Sequence, residues 1–387
     1  MRAQSGCWIT ETRQVLEVVV DGVIFQFQSR GGVSRIYSEI LPRMCRQDDS
    51  LRITLLLKEG RALMQPLPVH PSIKRRAVPY VAPYLRPWRL WGRYEPAVRR
   101  LMDKLWIGDG AGKIWHSTYF TQPDMWCGAQ VVTVVDMIYE LYPNLFNEPH
   151  DQQFREQKRR AVLDAAAVIC ISETTRRDLQ DYYGIKREKT FVVPLAHSDT
   201  FRPLENESEY ESKGRPFLLY VGKRTHYKNF NLLLEAYSSW AGNSDVDMMV
   251  VSDQSWTSDE KRRLDDLGLA SHVQVLTNID DEHLRRLYSR AAAFVYPSLY
   301  EGFGIPLLEA MACGCPVIAS DIPSSREVAE DCAAYFDPTS AEDLRAVLDK
   351  VVTEGDDPNR RVAEIARAES FSWNETARQT LEVYRSL

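Results

Sequence analysis

No apolar run in this sequence approaches the length of a membrane span, and its first residues, MRAQSGCWITETRQ, hold no apolar core of signal-peptide size. The seven cysteines (Cys7, Cys45, Cys127, Cys170, Cys313, Cys315, Cys332) are odd in number, scattered, and without paired CxxC ligand spacing. This argues against a disulfide framework or a zinc site and for reduced thiols in a cytosolic protein. Cys313 and Cys315 flank a glycine in an apolar passage, where small buried hydrophobes are the simpler reading. There is no surplus of positive charge: 48 Lys and Arg stand against 54 Asp and Glu, a net of -6, so nothing supplies the broad field that general nucleic-acid binding needs. Solenoid-type repeats are absent as well. What remains is a soluble, globular composition, 44% hydrophobic and 26% charged, in a chain of 387 residues that is too long for one ordinary core.

Short β-branched runs alternate with longer helical patterns, which predicts α/β architecture with parallel sheets. The first series of strands is expected at Val15 to Val20, Ile53 to Leu57, Lys113 to His116, Val131 to Val135, Ala167 to Ile171 and Phe191 to Pro194. The second is expected at Phe217 to Val221, Met248 to Ser252, Val273 to Leu276, Ala293 to Tyr296, Pro316 to Ser320 and Ala334 to Phe336. Between them PLENESEYESKGRP, Pro203 to Pro216, is polar and acidic enough for an exposed linker. Two Rossmann-like domains facing a central cleft are the simplest arrangement, with residues 1–202 in the first and 203–370 in the second.

The densest signal is Tyr296 to Asp321, YPSLYEGFGIPLLEAMACGCPVIASD, which sets Glu301 eight residues before Glu309 around a Gly302-Phe303-Gly304 turn that opens a helix. The glycines let the backbone turn sharply, and Pro306 suits a first helical position, where its missing N–H costs nothing. Free amides at such a helix start can face a phosphate. Carboxylates on either side would accept from paired hydroxyls, as on a sugar or a ribose. Two acidic groups flanking a phosphate-type turn serve no packing purpose.

The block resembles the E-x7-E signature of the family-four retaining glycosyltransferases, and the likeness extends through PSLYEGFG, PLLEAMACG and PVIASD to EVAED (Glu327 to Asp331) and AAYFDP (Ala333 to Pro338). The resemblance implies a GT-B fold, a nucleotide-sugar donor, an acceptor-binding first domain, a donor-binding second domain, and a final helix at 371–387 that returns to the first domain. It implies that Glu301 holds hydroxyls of the donor sugar and Glu309 the ribose diol. It implies further that Lys228, with either Lys223 or Arg224 after Gly222, meets the donor diphosphate. Fixed cations there would stabilise the charge that develops on the leaving group.

In the first half, Gly31 and Gly32 stand where the family has its N-terminal glycine loop, with Arg35 beside them. Gly32 is a donor-side candidate; Gly31 and Arg35 are acceptor-side candidates. His116 and Asp136 end two predicted strands. Asp136 could orient an acceptor hydroxyl, act as its base, or merely cap a turn; for His116, ligand binding and core hydrogen bonding stand level. Relatives carry a histidine in TxHD just before that aspartate, where this chain has Val135. His197 sits where relatives show Asn-Gly. Ser172 and Glu173 read as a helix cap, and Ile279, after Thr277 and Asn278, occupies the place where relatives hold the base through backbone groups.

Lys74 to Lys104 reverses the local charge with a concentration of arginine, tryptophan and tyrosine. It reads equally as a peripheral edge at the inner membrane face, each cation contributing about 1 kcal/mol near an anionic surface, or as a helical flap whose arginine stems cover apolar surface. The expected activity is retaining, metal-independent sugar transfer to a saccharide or lipid-linked saccharide in the cytoplasm, with no cofactor and no nucleic acid. No acidic metal-binding DxD stands in a convincing loop; Asp265-Asp266, Asp280-Asp281 and Asp356-Asp357 fall in helical or solvent-type contexts. The alternatives are a noncatalytic nucleotide-sugar-binding subunit and a GT-B-like nucleotide-sugar epimerase.

Overall fold

In a computed structural model of the chain, residues 15–28, 31–79, 100–101, 104–205, 214–224, 226–355 and 357–387 are described. The core of the predicted linker and most of the Lys74 to Lys104 stretch lie outside them. By its contacts the chain divides into two compact units. Unit 1 holds Met1–Thr133, Asp164–Ala167 and Ala377–Leu387; unit 2 holds Val134–Leu163 and Val168–Thr376. This division differs from a single cut at residue 203, because the segments around 134–163 and 168–202 count with the second half.

Unit 1 contains the parallel strands β1 (Leu16–Asp21), β2 (Leu51–Lys58), β3 (Ile73–Val78), β4 (Ile114–Ser117) and β5 (Ala129–Val134), side by side in the order β3-β2-β1-β4-β5. The apolar runs of β1 and β4 are buried, as parallel strands covered on both faces require. β3 is the one strand of this group that the sequence did not announce. Its residues IKRRAV bury none of their side chains and lack the apolar run that marks a central strand, because β3 lies at the sheet edge and its charges face outward. Charged edges of this kind discourage pairing with other chains. The helix expected from about Val33 runs Gly32–Gln47 and packs Ile36, Tyr37, Ile40, Leu41 and Met44 inward. The last helix, Trp373–Arg385, ends within unit 1, where Arg385 bonds Asp48 at 2.8 Å.

Unit 2 contains the parallel pair β6 (Ala167–Cys170) and β7 (Thr190–Val192). It also holds a six-stranded parallel sheet of β8 (Phe217–Val221), β9 (Asp247–Val251), β10 (Val273–Leu276), β11 (Ala293–Tyr296), β12 (Val317–Ser320) and β13 (Ala334–Phe336). The order is β10-β9-β8-β11-β12-β13, so the chain reverses direction across the sheet between β8 and β11. Open sheets of this type take ligands beyond the carboxyl ends of the strands at such a reversal. The segments that follow β8 and β11 carry Lys228 and Glu301. Helix starts follow local chemistry: Ser172 accepts from the Thr175 amide, Thr257 and Glu260 form a reciprocal capping box, and Asp280 accepts from the His283 amide. Thus Asp280 is a cap, as a solvent-type context predicts.

Candidate active site

β11 ends at Tyr296, and a loop leads to the helix Ile305–Ala312, whose Leu307, Leu308 and Met311 are fully buried. Gly304 precedes this helix with φ 122°, a conformation open to glycine, and Pro306 stands in its first turn. Gly302 is required for a different reason. A Cβ there would lie 1.8 Å from the Val135 carbonyl oxygen, so no other residue fits without moving backbone.

The loop is clamped on several sides. Its Gly302 carbonyl accepts from the Ser172 hydroxyl at 2.5 Å and the Thr175 hydroxyl at 3.1 Å. Tyr300 donates to Asp178 at 2.7 Å while accepting from the Met137 amide at 3.1 Å, and the Leu299 amide donates to the Tyr227 carbonyl at 2.8 Å. Ser172 therefore does cap a helix, and with the same hydroxyl it grips the loop that bears Glu301. Glu327, from the EVAED stretch, accepts from the amides of Glu173 (2.6 Å) and Thr174 (2.9 Å) and from the Thr174 hydroxyl, filling the positive end of the Glu173–Tyr183 helix. Three sequence segments far apart in the chain are thus one structure.

The charged centre is the contact between Lys228 and Glu301, Nζ to Oε1 at 2.5 Å, with both side chains largely shielded from solvent. Lys228 comes from the short turn His226–Lys228 after β8, and its ammonium lies 5.4 Å from the Tyr227 ring centre and 5.5 Å from that of Tyr296. Burial alone would lower the Lys228 pKa, but Glu301, Tyr227 and Asp136 together hold it above its ordinary value. The Tyr296 hydroxyl bonds Glu301, and burial with that carboxylate pushes the phenol up. Asp136 belongs to the same field: lost hydration raises its carboxyl pKa, Lys158 and the Ile138 amide pull it down, and Glu140 and Glu301 raise it. Fixed cation, carboxylate and a half-protected second carboxylate are therefore brought together inside unit 2.

Other candidates are placed differently. Arg224 is committed elsewhere: it pairs with Glu260 at 2.6 Å, donates to the Gln254 and Ser255 carbonyls at 3.0 Å, and lies 4.7 Å from the Trp256 ring centre. Lys223 is 66% exposed, 4.0 Å from Asp253, with its carbonyl held by the Tyr220 hydroxyl at 2.6 Å. Of the two cations after Gly222, Lys223 is the one with an open head group. Glu309 is buried and accepts from the Tyr288 hydroxyl at 3.2 Å. The Phe303 ring is buried edge-on to Phe371, centres 5.8 Å apart, so its side chain belongs to packing. Ile279, with Thr277 and Asn278, lines a cavity of about 930 Å³ whose floor includes Phe217, Met249 and Leu276; Glu301, Glu309 and Lys228 are not in its lining.

In unit 1, the space above Gly31 is taken by the Gln28 side chain, whose Oε1 accepts from the Ser34 amide at 3.2 Å near the start of the Gly32–Gln47 helix. Gly32 opens that helix and Arg35, half-buried, lies one turn in. His116 resolves toward the core reading. It is fully buried, Nε2 lies 2.9 Å from the Thr133 hydroxyl, Nδ1 bonds the Tyr384 hydroxyl, and burial lowers its pKa to about 3. With both nitrogens engaged it has no group to offer an acceptor. His197 bonds the Ser198 carbonyl at 3.0 Å. Tyr296, Tyr300, Glu327 and Lys158 went unread in the sequence. The first three lie in or beside the resembling block and could have been found there; Lys158, in QKRR, looks like any surface cation.

The family profile described as Glycosyltransferase Family 4 matches residues 30–197, and that described as Glycosyl transferases group 1 matches residues 202–369. Among curated relatives, O-antigen chain mannosyltransferase B of Escherichia coli is 30% identical over 253 residues, 62% of this chain and 66% of that protein. The MMP alpha-(1->4)-mannosyltransferase of Mycolicibacterium hassiacum is 27% identical, over 60% of this chain and 56% of that one. The chain spans less than two thirds of the length of these relatives. Among solved structures, sucrose-phosphate synthase from Thermosynechococcus elongatus superposes with a TM-score of 0.72 at 18% identity, over 96% of this chain and 98% of that chain. A glycosyltransferase from Rickettsia africae superposes at 0.67 and 18%, over 97% and 98%. The fold is GT-B, with two Rossmann-like parallel-sheet domains.

Proposed function

Because the chain belongs to the group 1 glycosyltransferases, we propose that it moves a sugar from a nucleotide-diphosphate donor to a hydroxyl of a saccharide or lipid-linked saccharide, in polysaccharide or glycoconjugate synthesis at the cytoplasmic face of a membrane. The bond from the anomeric carbon to the diphosphate oxygen breaks and one to the acceptor oxygen forms, with retention. The acceptor proton passes to a donor phosphate oxygen or to Asp136. The observation that carries this reading is the Lys228–Glu301 contact with Asp136 in its field. In catalysis Lys228 turns from Glu301 to the diphosphate, with Lys223 as the second cation, and Glu301 is freed for the sugar hydroxyls. Charge then sits where the leaving group develops it. Metal-independent transfer is part of this reading, and mannose is the first sugar to try, since the relatives quoted above are named mannosyltransferases. The exposed cations Lys74, Arg75 and Arg76 on β3 favour attachment to an anionic surface.

The test is a thermal-shift panel of uridine, guanosine and adenosine diphosphate sugars, followed by nucleotide release with and without saccharide acceptors. A ligand bound by the native state raises Tm. One donor should do so, and acceptors should accelerate its nucleotide release. A second reading, a noncatalytic nucleotide-sugar-binding subunit, draws on Val135 in place of the family histidine; donor binding without turnover on any acceptor would establish it.

A further inference from the structure

Behind Asp136 lies a buried ion pair that the proposed chemistry does not use. Lys158, on the helix Pro149–Asp164, is 2% exposed and Glu140 is 0% exposed; Nζ donates to Glu140 Oε2 at 2.8 Å. The other Glu140 oxygen accepts from the Tyr183 hydroxyl at 2.8 Å. Removing two charges from water costs about what their attraction returns, so stability alone is a weak reason for such a pair. Its geometry has another outcome. The same ammonium donates to the Asp136 backbone carbonyl at 2.6 Å, and the Ile138 amide donates to Asp136 Oδ1 at 3.2 Å. The ammonium therefore stands at the root of the turn 136–140 from which Asp136 projects, and Glu140 and Tyr183 keep it there.

We propose that Lys158 is the positioning residue of Asp136, holding the turn that presents the carboxylate and setting a positive charge at its root. This rests on the reading of Asp136 as the group that meets the acceptor. The charged groups that face Asp136 are Lys158, Glu140, Glu301 and Lys228, with the Tyr300 phenol nearby. Glu140 and Glu301 favour the protonated acid, and Lys158 opposes them. Asp136 acts as a base only when ionised. Without Lys158 its pKa rises, and the carboxylate is lost at a higher pH as pH falls.

The experiment needs no substrate. The full chain is labelled with carboxyl-13C aspartate, the Asp136 signal is assigned by its loss in Asp136→Asn, and its titration midpoint is compared between the parent and Lys158→Met. The expected result is a midpoint raised by about one pH unit or more, with Lys158→Arg restoring most of the difference. Should Lys158→Met fail to fold, Lys158→Met combined with Glu140→Gln removes both buried charges, and a smaller upward shift is expected. An unmoved midpoint in the folded variant overturns the proposal. Acceptor-dependent transfer by Asp136→Asn at the parent rate would instead sink the catalytic reading of Asp136 while leaving its dependence on Lys158 standing.

Discussion

Two polar clusters at strand ends, one in each unit, differ in a way that separates scaffold from site. In unit 1, Asp21 at the end of β1 accepts from the Ser117 hydroxyl at 2.9 Å, the Thr118 amide at 2.9 Å and the hydroxyls of Thr118 and Thr121. Beside it His116 uses both nitrogens, and Tyr37 donates to the Ser117 carbonyl at 3.2 Å. Burial raises the Asp21 pKa and this ring of donors pulls it back. Each of these groups is matched to protein. In unit 2, Glu301, Asp136 and Glu140 share one field with two ammoniums, Lys228 and Lys158, so carboxylates face one another across too little positive charge. The matched cluster has nothing left to give a ligand; the other would gain from a donor's hydroxyls. Burial of ionisable groups does not identify a site, but their incomplete pairing does.

The largest test of this contrast is Lys228→Ala. It should lower turnover by about a hundredfold or more and shift Tm by only a few degrees, measured as initial rates beside a melting curve; unchanged turnover would end the assignment. The matching experiment in unit 1 is Asp21→Ala, which strands donors from Ser117, Thr118 and Thr121. It should cost about 3 kcal/mol in urea unfolding, with turnover per folded molecule preserved. A loss of turnover at full stability would turn the comparison around. A smaller effect belongs to the clamp: Glu327→Ala leaves the Glu173 and Thr174 amides without their acceptor and should cost about 1 kcal/mol, read from the same unfolding curves, with donor KM rising more than kcat falls as the Glu301 loop loosens.

Much of the fold was legible because parallel strands buried on both faces are apolar runs bounded by turn residues; β8, β10, β11 and β13 have the limits expected. β3 was not, since an edge strand answers to solvent on its open side and carries no such run. The Glu301 loop was legible because its glycines answer to strict steric demands, of which the Val135 carbonyl over Gly302 is the sharpest. What no local pattern reveals is where a side chain spends its hydrogen bonds. Arg224 and Lys223 are adjacent cations in sequence, and only the placement of Glu260 and Trp256 separates them. Lys158 is likewise one of several cations on its helix, and its role is set by a turn some twenty residues earlier, Lys158 to Asp136.

The Tyr384 hydroxyl on His116 and the Arg385 guanidinium on Asp48 give unit 1 a part made long after its strands. On the ribosome, β1 to β5 emerge first and wait with a gap in their packing while all of unit 2 is synthesised. Unit 2 has its residues together earlier, so the half of the protein begun last is the half able to finish first. A chain truncated after residue 376 and released should hold a protease-resistant second unit beside a first unit that is still open to cleavage.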